Sequence, residues 1–480
     1  MLSSINRVMK PETGQYVRKL SKPAQLLAGY VGLQESAGSL AHIRFAQDTI
    51  VNWLPKVFFS RSLADFTDMS FLEIAENVLV YYGGKVLGEG VFRKPFSKKI
   101  PTHLKEKIPV SAEEILKDKK ISVDDKKKLL PVKTALALSA MAIPLAEYSL
   151  NFVKNLLTLK MFKQADFNNI ANLNKEKKED LNKQKQVKDS AKKHIGIATG
   201  IYAGCLALAA LFLTRGKKSK ALQSVSEFIL APGNKLFKPK NNTVDAIEKA
   251  TKKASIFNKY FGLDFDSTVV KDKQGNDILD EFGNKKRKLA LSTGQLMSCV
   301  TIGFAGYMGA AKDRGKQNML EVAFRYPIVT FYVITGADLF IKGFKSILRK
   351  KGGYEHMVGK KDDKNFKAPK LDDLPQLAKE LAKKKGTTAE AEFKKLFKQK
   401  ATIIGVPTLF SLIVMGVFVA AYSRFFTKYR YNKEMKAKQK SQQNIAFKGN
   451  TLAHKEAFEF KNNVLKLNNP FCGVSQSSVN

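Results

Sequence analysis

The sequence predicts an all-α, integral membrane helical bundle of about five spans with a small β-turn insertion. Three observations carry that prediction. Five apolar runs are each about 20 residues long, enough at about 1.5 Å per residue to cross a hydrocarbon core of roughly 30 Å. Lysine clusters abut nearly every run, as interface anchors do at the ends of spans. Finally, the 480-residue chain holds 83 Lys+Arg against 43 Asp+Glu, a formal net charge of +40. Such an excess calls for an anionic partner: lipid headgroups, nucleic acid or an acidic protein.

Residues 1–131 form a basic N-terminal region with amphipathic helices. Its start, MLSSINRVMKPETGQYVRKL, lacks the apolar stretch of a secretory signal, and Pro11 and Glu12 argue against a mitochondrial presequence. IRFAQDTIVNWLPKVFF places Ile43, Ile50, Leu54, Val57 and Phe58 at near-helical spacing around the only tryptophan, Trp53. Such a helix either lies among headgroups or packs on its own domain. Phe71 to Phe92 reads as a helix, a break at Gly83-Gly84 and a short extension.

The first transmembrane hairpin, 132–214, holds TALALSAMAIPLAEYSLNFV (Thr134–Val153) and HIGIATGIYAGCLALAALFLT (His194–Thr214). An extramembrane insertion, 215–289, follows. Within it KDKQGNDI and LDEFGNKK match at Asp272/Asp280, Gly275/Gly283 and Asn276/Asn284, a period that reads as two turns joining short strands. A calcium loop is excluded, because Asp277 and Gly283 stand where the EF-hand pattern needs glycine and glutamate. The second hairpin, 290–345, pairs ALSTGQLMSCVTIGFAGYMGA with LEVAFRYPIVTFYVITGADLFIKGF. A lysine-rich connector, 346–400, contains DDLPQLAKELAKKKG, a short helix ending at Gly386. The fifth span is 401–423, and residues 424–480 are a basic juxtamembrane segment with a disordered tail. Lysine and arginine are most numerous in 1–133, 215–289 and 342–400, which favours an N-terminus on the cytoplasmic side.

Candidate residues follow from the spans. Gly196, Gly200 and Gly204 lie four apart on one helix face, where a second backbone can approach closely; in water they would cost about 1 kcal/mol each against alanine. Gly303, Gly306 and Gly309 of the third run are placed to receive them, and the row could also join two copies of the chain. Glu147, Gln295 and Arg325 are the intramembrane polar candidates. Glu147 sits about 9 Å inside the first span, one turn after Pro144, with Arg325 as its expected partner. Glu321, Arg325 and Asp338 otherwise read as helix-end chemistry, with Asn318 and Glu321 in a capping pattern and Glu321 four residues before Arg325. Pro327 marks a kink.

No metal site is expected: Cys205, Cys299 and Cys472 and the five histidines are dispersed. No P-loop, dinucleotide fingerprint, zinc-protease or nucleophile-elbow motif occurs, nor the repeated signature of mitochondrial carriers, so neither enzyme nor cofactor is expected. Nucleic-acid modules leave no trace. The tail NIAFKGN (Asn444 to Asn450), on a lysine-rich multi-span chain, resembles multi-span proteins of the Melainabacteria, non-photosynthetic relatives of cyanobacteria. That resemblance implies a bacterial inner membrane and no particular activity. The functional expectation is a non-enzymatic, multi-pass membrane scaffold or anionic-lipid-interacting protein. A transporter or channel for an anionic solute is the alternative.

Overall fold

Side-chain caps start the main helices where polar residues precede apolar runs. In the computed structural model Ser122 accepts from Asp125 N to open α4 (Val123–Ala140), and Asp180 caps α6 (Leu181–Arg215). Ser292 and Gln295 form a full capping box at α9 (Thr293–Arg314). The other longer helices are α1 (Pro11–Arg18), α2 (Lys22–Glu35), α3 (Leu63–Gly83), α5 (Ala142–Phe162), α7 (Lys220–Leu230), α8 (Val244–Phe261), α10 (Lys316–Phe331), α11 (Ala337–Lys351), α12 (Leu374–Lys385), α13 (Ala389–Ser411) and α14 (Val419–Leu467). The structure describes every residue except 1–8, 36–44, 47–48, 50–52, 84–85, 88–89, 91–92, 99, 175–178, 271–276, 280–282, 284, 361–365 and 468–480. Residues 1–423 form one unit and 424–480 a second.

The first unit is built around α5. Helices α3, α6 and α9 pack on its sides, and α4 leads into it through a turn at Met141. Among the described residues four stretches are long and apolar enough to cross a membrane: Val123–Phe162, Leu181–Arg215, Lys316–Lys351 and Ala389–Ile445. The apolar window of the first is 83% buried inside the protein, against 17%, 0% and 22% for the others. The first expected span is therefore the core of the bundle, and the other three show their apolar faces outward, with Ile201, Phe331 and Leu409 more than half exposed. The third expected run, α9, falls short of a span by hydropathy: its polar first turn and the charged end at Lys312 and Arg314 leave too few apolar residues between.

The glycine rows are arranged differently from expectation. A Cβ at Gly196, Gly200 or Gly204 would meet nothing within 4 Å, so this row faces outward from α6. Buried Ala191, Ala198, Ala209 and Phe212 form the packed face of that helix instead. The receiving row on α9 is used, but by α5. A Cβ at Gly303 would lie 2.5 Å from Glu147 Oε1, one at Gly306 2.6 Å from the Tyr148 carbonyl oxygen, and one at Gly309 3.1 Å from Phe152.

Two helices are broken by proline in the same way. Pro327 in α10 and Pro407 in α13 each remove a backbone donor, and five residues later the chain widens into a π-turn, at Tyr332–Gly336 and Leu412–Phe418. Tyr332 and Ser411 join the broken helices by a 2.7 Å hydroxyl hydrogen bond, and Phe340 stacks on Phe410 at 3.8 Å.

A separate apolar cluster joins the two ends of this unit. Val17, Ala28 and Val31 of α1 and α2 pack with Met357, Leu371, Leu374, Phe393 and Phe397. The connector thus folds: α12 ends at Gly386, whose φ of +67° is the left-handed cap that glycine supplies. In the insertion, β1 (Asp266–Val269) pairs antiparallel with β2 (Arg287–Ala290), Asp266 opposite Ala290. Backbone bonds also link Val270, Ile278 and Lys286, eight residues apart, while Asp272, Gly275, Asn276, Asp280 and Asn284 lie outside the described residues. Ile43 and Ile50 lie outside them too; Trp53 donates to Ser70 on α3. The C-terminal segment departs from the expected disordered tail, since α14 continues as helix to Leu467.

The close α5–α9 contact makes a direct comparison of the rows possible. Gly306→Leu must push the Tyr148 backbone aside and should cost at least about 1–3 kcal/mol, whereas Gly200→Leu should leave the monomer near wild type. Thermal aggregation of both variants in mild detergent reads this, and equal losses would contradict the packing.

Candidate functional site

Polar residues recur at helical spacing on four helices and meet in one place. On α5 the buried set is Glu147, Asn151, Lys154, Asn155 and Thr158. Helix α3 brings Asp65, Asp68, Glu73 and Glu76, with Arg61 just before it. Helix α9 ends in Tyr307 and Arg314, and after a turn at Gly315 (φ +124°) α10 brings Asn318, Glu321 and Arg325. The turn reverses the chain so that the last charge of α9 and the first polar residues of α10 face α3 and α5.

The result is a buried charge network. Arg61 pairs with Asp65 at 3.0 Å and with Glu321 at 3.0 Å, its guanidinium also lying 5.0 Å from the Phe167 ring centre. Arg314, only 1% exposed, pairs with Asp68, which also accepts from Thr158. Lys56 pairs with Glu73, and Tyr307 donates to Glu76. Burial would lower the Arg61 pKa, but the Glu321 and Asp65 carboxylates outweigh it and hold the group above its ordinary value. Burial prevails at Lys56, which is lowered despite Glu73, and at Glu76, which is raised further by the charge of Glu73.

These residues line a partly open cavity of about 40 Å³, with Arg61, Lys154, Arg314 and Arg325 beside Asp65, Asp68, Glu73 and Glu321, and Asn318 among the rest. Its described polar lining consists of carboxylates, guanidinium groups, the Lys154 amine, the Asn318 amide and the Tyr307 hydroxyl. Among the described residues no group of His, Cys, Asp and Glu could hold a metal ion.

The three polar candidates do not converge. Arg325 lines the cavity. Glu147 lies two turns further along α5, against Gly303 and beside Cys299, with Oε2 buried and without a hydrogen bond. Arg325 is not its ion-pair partner. Gln295 serves the fold: its side chain accepts from Ser292 N and donates to the Leu263 carbonyl. It borders a separate apolar void of about 10 Å³ with Pro144 and Cys299. The helix-end reading of the fourth run is also corrected. Glu321 is bound by Arg61, 260 positions away, because α10 starts at Lys316 and turns this face into the bundle; Asp338 stays exposed.

Arg61, Asp68, Lys154 and Arg314 were not singled out in the sequence. The signal existed: Asp65, Asp68 and Glu76 keep one helix face, as do Glu147, Asn151, Lys154 and Thr158. No family model, curated protein or solved structure matches the chain.

Removing one member of a buried pair strands its partner, at about 3–5 kcal/mol. Arg61→Met should therefore lower the denaturation midpoint in detergent strongly. Lys19→Met, which breaks the exposed pair with Glu390 (side chains 61% and 59% exposed), should leave it nearly unchanged. Similar midpoints for both variants would show that the network contributes little.

Proposed function

We propose that this protein is a non-enzymatic, multi-pass membrane protein of a bacterial inner membrane that holds anionic lipid through its basic outer surfaces. The observation that carries the reading is the exposed, basic helix that continues from the last apolar stretch. Residues 424–443 hold seven lysines and arginines against one glutamate, and Lys428, Lys433, Lys436, Lys438 and Lys440 are exposed. Next to an anionic leaflet each well-placed charge contributes about 1 kcal/mol, and the aromatic residues Phe425 and Tyr429, 71% and 55% exposed, suit the headgroup layer. The three outward apolar helices supply the membrane anchor.

A peptide of residues 424–443 should bind vesicles containing phosphatidylserine or phosphatidylglycerol and ignore neutral ones. Raising salt from about 0.05 to about 0.5 M should weaken binding by at least about tenfold, because the charges are screened. Binding indifferent to both salt and anionic lipid would end this reading.

The second reading, an anionic-solute transporter or channel, draws on the cations inside the bundle and on the π-turns of α10–α11 and α13–α14. Anion flux into proteoliposomes distinguishes it. The outward glycine row leaves self-association open to the same preparation: Gly200→Leu should reduce any dimer seen by crosslinking while sparing the monomer.

A further inference from the structure

The charges around the cavity do not all find partners. Arg61 and Arg314 are each held by carboxylates, but Lys154 and Arg325 have none within ion-pair distance among the described residues. Lys154 is 7% exposed; Arg314 and Arg325 repel it, Asp68 and Glu76 attract it from beyond ion-pair distance, and Asp68 is already engaged by Arg314. Two further donors point the same way: Arg314 Nε and Asn318 Nδ2 are buried and make no hydrogen bond. All four residues line the one cavity.

Four carboxylates line the cavity beside four cations, but Asp65, Asp68, Glu73 and Glu321 are each engaged by other groups, so Lys154 and Arg325 lack a direct partner and the buried donors lack acceptors, both at a desolvation cost. Water can satisfy some donors but brings no charge. A small anion satisfies both requirements at once. Donors are what remain unfilled here, and three of the four residues that carry them are cations, Arg314 alone of these being paired.

We propose that the cavity is a binding site for a small inorganic anion of about the size of chloride, held by Lys154 and Arg325 with Arg314 Nε and Asn318 Nδ2 donating to it. The volume of about 40 Å³ sets the class. It has room for about three water-sized molecules, the scale of a small inorganic anion rather than of a lipid headgroup or a nucleotide. The site is independent of the lipid reading, since Lys154 and Arg325 belong to the interior and the vesicle-binding lysines to the outside.

The test uses the full chain in uncharged detergent, transferred to gluconate at constant ionic strength. Chloride or bromide is then titrated in while the unfolding temperature is followed. Both should raise it saturably, because an ion bound only by the folded state stabilises it. Lys154→Met should be at least as stable as wild type in gluconate, having lost an unpaired buried charge, and should no longer respond to chloride. Arg325→Gln should shift the half-maximal chloride concentration upward by about tenfold or more, the loss of one charge-assisted contact. A wild-type protein indifferent to chloride, or a Lys154→Met protein that keeps the full response, overturns the proposal. If Lys154→Met does not fold, the wild-type titration and Arg325→Gln decide alone.

Discussion

The cost of burying charge organises this bundle. Helix α5 is surrounded by protein, yet it carries Glu147, Asn151, Lys154 and Thr158 along one face. Apolar neighbours cannot satisfy such a face, so the helices that cover it bring carboxylates and guanidinium groups of their own. Arg314 to Asp68 ties α9 to α3, and Arg61 to Glu321 ties the entry of α3 to α10. Apolar packing tolerates a helix sliding by a residue. A bidentate pair does not, and the network thereby sets how these helices are rotated and how far each is inserted.

Much of the helical architecture was legible in the sequence, and the failures share one cause. Apolar length located α9, the second half of α6 and the last apolar stretch. Hydropathy does not distinguish a helix wrapped in lipid from one wrapped in protein, however, so Thr134–Val153 gave no sign that its stretch, long and apolar enough to cross a membrane, lies mostly inside the protein. The two glycine rows show the same blindness. Gly196, Gly200 and Gly204 and the row on α9 both announce a narrow helix face, but only the neighbour decides which is filled, and α5 fills the second. Glu321 and Arg325 looked like an end cap for want of Arg61, which no local spacing connects to them.

Cations serve two different purposes in this chain. Those on α14 and the connector are exposed and compete with salt and water for whatever anion they meet. Those in the bundle are shielded, so each interaction is stronger, and each unmet one costs more. The net charge of +40 conceals this division, because around the cavity Arg61, Lys154, Arg314 and Arg325 stand beside Asp65, Asp68, Glu73 and Glu321.

The cluster that unites α1 and α2 with residues 357–401 imposes a rule of parity. Val17 and Val31 touch the same core as Phe393 and Phe397, so both partners stand on one side of any membrane the chain crosses. The polypeptide between residues 35 and 357 must then cross an even number of times. The apolar stretches Val123–Phe162, Leu181–Arg215 and Lys316–Lys351 make three. Either the enclosed α4–α5 segment returns to the side it came from, or α9, sheltered from lipid by α5 and α10, makes a fourth passage that its hydropathy alone would not reveal.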